Sequence, residues 1–176
     1  IAPTLGSAVV RPEVEAAVRE GAEALARDAG LEIVDVEVKL PGLGLEWALT
    51  NLATLRPELI DRWPACKDDL SPQIAFGLEF ADGAMNLETS ARAELARIEA
   101  NEAMAALFDQ VDFVIGATNP DVAYPAEVMA NTRVGTQKVG LENNGALTIP
   151  ANICGNPAIS IPVAPVAGLP VGMQVI

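Results

Sequence analysis

Nucleophilic catalysis needs a hydroxyl or thiol with a base beside it, and this 176-residue sequence offers few such pairs. It contains no histidine, which excludes Ser-His-Asp and Cys-His catalysis and every histidine-bearing metal site within it. A serine activated through a lysine stays compatible with that composition. The four serines, Ser7, Ser71, Ser90 and Ser160, stand apart from one another and outside any Gly/Ser-rich run. Lys39, Lys67 and Lys138 show no matching serine context. Cys66 and Cys154 lack a Cys-x-x-Cys pattern and read as buried, inert thiols, with Cys154 placed where it could also face a pocket. Asp68 with Asp69, and Asp109 with Asp112, are carboxylates close in sequence; such pairs are usually solvated, and nothing around them predicts a raised pKa. Gly42-Leu43-Gly44 lacks the third glycine and the strand-turn-helix setting of a phosphate loop.

Binding chemistry has better candidates. Asn152 to Pro157 is a polar bend inside an apolar context, ahead of a predicted strand, and rigidly held loops of this kind carry binding groups. Asn152 also suits a purely local task, tying down backbone groups in a turn. Gly155 reads as a position whose backbone needs an unusual dihedral. Thr118, Asn119 and Pro120 follow a strand end, a favoured ligand position in open α/β sheets.

The elements that must position these residues follow from periodicity and punctuation. Pro12 to Ala29 reads as an amphipathic helix with Val14, Val18, Ala22, Leu25 and Ala29 on one stripe, Pro12 at its first position and Gly30 as its C-cap. Leu31 to Val38 alternates like a strand. Leu45 to Leu55 and Pro72 to Ala81 read as helices, with proline-broken turns between them. Asn86 caps a long helix whose first stripe is Leu87, Ala91, Leu95 and Ile98, and whose last is Leu107, Phe108 and Val111. Val111 to Ala117 is a strand, Thr118 to Tyr124 a loop, Pro125 to Ala130 one helical turn, and Asn131 to Asn144 a polar surface excursion. Ala158 to Val163 and Val171 to Ile176 are buried strands joined by a seven-residue loop, Ala164 to Pro170. Helix-strand succession of this kind indicates an α/β domain, and the length suits one.

The net charge of −13 argues against nucleic acid and anionic membrane surfaces as partners. No apolar run approaches a membrane span and no signal peptide is evident, so a cytoplasmic setting is expected. Both ends fall inside apparent strands and 51% of residues are apolar, which predicts self-association through unpaired edges.

The segment from Leu147 to Ile176 resembles the C-terminal part of the amidase signature family, serine hydrolases that cleave amide bonds. The matching residues are Thr148, Pro150, Asn152, Gly155, Pro157, Ala158, Ser160 and Pro162, then Gly168 to Gly172 and Gln174. Val10 to Val18 is similar to the family's helix start, with Arg11 where an Asp is usual, and Val111 to Pro120 is similar to a second family segment, with Ala117 in place of a proline. The resemblance implies an α/β fold: a partial mixed sheet of amidase-signature type, flanked by helices and spanning 1–176 as the C-terminal portion of an amidase domain, a single piece cut at both ends. It implies an amide hydrolase working through an acyl-serine, with a second serine and a lysine as activators. By the resemblance none of these catalytic residues lies in this chain. It also implies that Asn152, Ile153, Cys154 and Gly155 shape the substrate pocket, with Thr118 and Trp47 as further pocket residues, although core packing would equally suit a lone Trp on a helix. The implied partner is a small-molecule amide, without cofactor or metal. Gly145 stands at a position where tRNA-dependent amidotransferases carry an acid, which points away from that subgroup. A non-catalytic binding or assembly module built on the same scaffold is the alternative.

Overall fold

The computed structural model describes residues 1–128 and 130–176. Helix α1, Pro12–Ala29, begins on a proline whose fixed φ suits a first helical turn and ends at Gly30, φ 67°, in the left-handed region. Val14, Ala17, Val18, Ala22 and Ala26 form its buried face. That face lies against a three-stranded antiparallel sheet, ordered β1 (Ile115–Ala117), β5 (Leu169–Val175), β4 (Ile159–Val166). The approach is close: a Cβ at Gly21 would stand 2.6 Å from Val163 Cγ1. Leu5, Val14, Val18, Leu147, Met173 and their neighbours make the main core between helix and sheet.

Ile115 pairs with Val175, and Val175 in turn with Ile159, so β5 is central and β4 an edge. An edge strand tolerates proline, because it has one side on which no ladder donor is needed. That is why β4 runs on through Pro162 and Pro165, with a register shift between Val163 and Val166. The expected seven-residue loop is therefore a hairpin. Val166 pairs with Leu169 across Ala167 and Gly168, whose φ values of 51° and 76° are those of a two-residue turn matched to strand twist.

The remaining helices form a second layer: α2 (Gly44–Glu58), α3 (Pro72–Ala84), α4 (Leu87–Phe108) and the short α5 (Ile149–Cys154). Asn86 caps α4 by accepting from the Thr89 N–H at 2.9 Å. The C-terminal part of α4 is buried through Ala100, Met104 and Leu107. Its expected first stripe is not: Leu87 is 89% and Leu95 60% exposed, and Ile98 is exposed too. Ser90, Ala93, Glu94 and Arg97 occupy the face turned to α2 instead.

Leu31 to Val38 is not a strand. Val36 and Val38 pack on the core, but Leu31, Ile33 and Val34 are exposed and no strand lies beside the segment among the described residues. Alternation suffices to bury one face, whereas a strand also needs a hydrogen-bonding neighbour. The Asn131 to Asn144 excursion carries two two-residue strands, β2 (Arg133–Val134) and β3 (Gln137–Lys138), and is pinned down at Asn143. Asn143 is buried; its Oδ1 accepts from the Val9 N–H at 2.8 Å and its Nδ2 donates to the Val9 carbonyl at 2.9 Å. The helical turn expected over Pro125 to Ala130 includes Met129, which lies outside the described residues.

Candidate functional site: a cleft between α2, α4 and α5

The polar bend expected at Asn152 to Pro157 is, in its first half, a helix. Residues 149–154 form α5, because Pro150 sits in its first turn and Gly155, φ 71°, closes it. Asn152 turns its amide back along the helix, donating from Nδ2 to the Thr148 carbonyl at 2.9 Å. Ile153 packs with Leu43, Ala100 and Ile149. Cys154 is half-buried against the same cluster; burial pushes its thiol pKa up, and the nearby Arg97 charge opposes that.

Ile153 and Trp47 meet in a cleft of about 440 Å³ between α2, α4 and α5. Pro57, Met85 and Ala93 add carbon surface, and Arg97 with Glu94 forms one side. The Arg97 guanidinium bonds Glu94 twice, with Nε to Oε2 at 2.9 Å and Nη2 to Oε1 at 2.5 Å. That pairing holds the Glu94 carboxyl below its usual range and raises Arg97. Two other polar groups in the wall are spent on the helix backbone: Asn51 Nδ2 donates to the Trp47 carbonyl at 2.9 Å and Thr54 Oγ1 to the Asn51 carbonyl at 2.8 Å.

Thr118 is elsewhere. It stands at the end of β1, its Oγ1 2.7 Å from Ser160 Oγ on β4, over Gly172 of β5. A Cβ at Gly172 would come within 2.5 Å of Ser160 Oγ and 2.8 Å of Thr118 Oγ1, so only glycine leaves room for this hydroxyl pair. Further along β5, Gln174 is 3% exposed and donates from Nε2 to the Ala117 carbonyl at 3.1 Å and the Leu147 carbonyl at 2.6 Å. It thereby fastens the sheet to the segment leading into α5. The structure thus unites Trp47 with Ile153, places Cys154 and Asn152 on the same short helix, and separates Thr118 from them. Sequence reasoning did not single out Glu94, Arg97 or the Thr118–Ser160 pair as functional. For the first two, a charge pair at helical spacing was the only available signal.

Two of the four serines do other work. Ser71 accepts from the Ile74 N–H as the cap of α3, and Ser160 is paired with Thr118. Lys39 bridges Glu37 at 2.8 Å and Lys67 bridges Glu79 at 2.5 Å. Among the described residues no lysine hydrogen-bonds a serine, no group of three or more His, Cys, Asp or Glu could hold a metal ion, and no helix is long and apolar enough to cross a membrane.

The family model for amidases matches residues 1–176. The chain belongs to the amidase family. Among curated relatives it is similar to the A subunit of glutamyl-tRNA(Gln) amidotransferase from Listeria welshimeri, 34% identical over 48% of this chain and 17% of the relative, and to its counterpart from Latilactobacillus sakei, 41% identical over 40% and 13%. Among solved structures, one of an amidase superposes with a TM-score of 0.80 at 23% identity, covering 99% of this chain and 40% of the other. A bacterial aryl acylamidase of the amidase signature family gives 0.76 at 18% identity, covering 99% and 38%. The family match and these superpositions bear out the amidase-signature resemblance and the mixed α/β architecture. This amidase-family chain spans about two fifths of the solved structures it matches, and under a fifth of these curated relatives aligns with it.

Proposed function

We propose that this chain is the substrate-side wall of a serine amide hydrolase. The bond broken is the C–N bond of a small amide. A serine outside residues 1–176, activated by a second serine and a lysine, attacks the carbonyl carbon to form a tetrahedral oxyanion that backbone donors stabilise. The amine leaves with a proton, and water releases the acid from the acyl-serine. The observation that carries the reading is the cleft in which Trp47 and Ile153 converge, on a chain matched along its whole length by the amidase family model. The names of structural neighbours, an amidase and an aryl acylamidase, agree with it. We propose a cytoplasmic setting and self-association through the outer edge of β4 and the exposed Phe76 and Phe80 of α3.

The test has two arms. The 176-residue chain, purified to constant specific signal, is assayed with benzamide, hexanamide and glutamine and should release no ammonia. The reading frame extended to include an upstream Gly/Ser-rich segment and lysine should release it, and should trap an acyl-serine with an activated ester. Turnover by the 176 residues alone, or a serine-independent reaction in the extended protein, overturns the proposal.

A further inference from the structure

We infer that the α2–α4–α5 cleft selects an uncharged aryl or alkyl group and rejects carboxylates. This rests on the reading of the cleft as part of an amide hydrolase's substrate pocket, and it names the substrate class.

A carboxylate-binding pocket needs a cation with free donors aimed into it, most effectively an arginine fork. Among the described residues the only cation lining this cleft is Arg97, and its fork is already occupied on two nitrogens by Glu94. A second carboxylate, Glu46, also lines the cleft and has no cationic partner among the described residues. Two carboxylates therefore stand against one guanidinium. An anionic ligand would face net repulsion, and the Arg97 edge formed by Nε and Nη2 is closed to it by Glu94, leaving only Nη1 and the second Nη2 N–H. A neutral ligand meets the indole of Trp47, the ring of Pro57 and the side chains of Met85, Ala93 and Ile153 without breaking any pair. Asn51 and Thr54 are turned to backbone carbonyls and compete little for a ligand's polar atoms. The cleft's volume of about 440 Å³ falls within the roughly 300–1,000 Å³ usual for small-molecule sites, which are mostly apolar with a few polar groups. Trp47 is 38% exposed, so a flat ring or alkyl chain can cover it.

The experiment uses Trp47 as its own reporter. In a Trp63→Phe background the emission of the remaining indole is followed while benzamide, hexanamide, sodium benzoate and L-glutamine are added in turn. Saturable changes are expected with the two neutral amides, with half-saturation at least tenfold lower than for benzoate or glutamine. In Glu94→Gln the Arg97 fork is released, and benzoate should tighten at least tenfold while benzamide moves less than threefold. No saturable response to either neutral amide, benzoate binding as tightly as benzamide, or an unchanged benzoate affinity in Glu94→Gln each overturns the inference. The two readings fail separately. Glutamine turnover by the extended protein with Trp47 emission unmoved sinks this inference and leaves the hydrolase standing. Saturable benzamide binding in an extended protein without amide turnover does the reverse.

Discussion

Gln174 should be worth more to this fold than its single side chain suggests, and Gln174→Met measures how much. Methionine keeps the length and removes both Nε2 donors, which now satisfy the Ala117 and Leu147 carbonyls at 3.1 and 2.6 Å in a site 3% exposed. Two neutral hydrogen bonds contribute about 1 kcal/mol each, and a carbonyl left buried without a partner costs about 1–3 kcal/mol. The extra apolar surface of methionine returns about 1 kcal/mol. The net expectation is a loss of about 2–4 kcal/mol. With a urea slope of about 2 kcal/mol/M, the midpoint falls by about 1–2 M. The loss should also be local: amide exchange should rise first in residues 147–154, because the Leu147 bond is the hydrogen bond that ties that segment to β5, beside its core packing. Gln174→Glu should be worse than methionine at neutral pH, since a buried carboxylate would face two carbonyl oxygens. Its folded-state pKa is then raised above the unfolded value, so its deficit shrinks as pH falls and grows as pH rises through the unfolded value towards the folded one. A Gln174→Met protein within about 0.5 kcal/mol of the parent, the range of an ordinary surface change, refutes this account of how the sheet holds α5.

Three further outcomes follow from the same geometry. Gly21→Ala gains about 1 kcal/mol of helix propensity but drives a Cβ to 2.6 Å from Val163 Cγ1, a clash of about 1–3 kcal/mol; it should destabilise the parent and stabilise a Val163→Ala background, and equal signs in urea unfolding of both would defeat the packing argument. Asp82 is held below its usual range by its bonds to Arg56 and then to Trp63, at 2.8 and 2.7 Å. A depressed carboxyl stabilises above its unfolded value and stops doing so as pH falls through the folded one. Trp63 emission in a Trp47→Phe background should therefore show an acid transition below the ordinary carboxylate range, absent in Asp82→Asn. Asn143→Ala breaks both bonds to Val9 and should cost about 2–3 kcal/mol, with faster proteolysis within 131–144; unchanged cleavage there would show that the excursion is held by something else.

Much of the fold is written locally, and those parts were legible. Pro12 and Gly30 bound α1, Asn86 opens α4, and the apolar run at Val171 to Ile176 is a strand because its residues can be nothing else at that length. Apart from α5, whose Pro150 and Gly155 signals are local, the misreadings depend on a partner that sequence does not name. Leu31 to Val38 alternates correctly but has no strand beside it among the described residues, and α4 turns its polar Ser90–Arg97 face toward α2 while Leu87 and Leu95 look outward. The proline-rich loop that became a hairpin depended on β4 being an edge, which only the sheet order reveals.

The same division explains why the family was easier to recognise than the site. The glycines and glutamine that carry the resemblance answer backbone demands: left-handed φ at Gly155 and Gly168, room for two hydroxyls at Gly172, and two orphan carbonyls at Gln174. Such demands, local at Gly155 and Gly168 and set by distant strands at Gly172 and Gln174, leave residue types that few substitutes can satisfy. The cleft is different. Trp47, Arg97 and Ile153 come from three helices and meet only because α2, α4 and α5 pack as they do. No spacing rule joins them, and each alone reads as core or as solvated surface. A scaffold can therefore announce its family through its backbone demands, while the lining of the cleft, Glu94 and Arg97 included, is legible only once its three helices are packed.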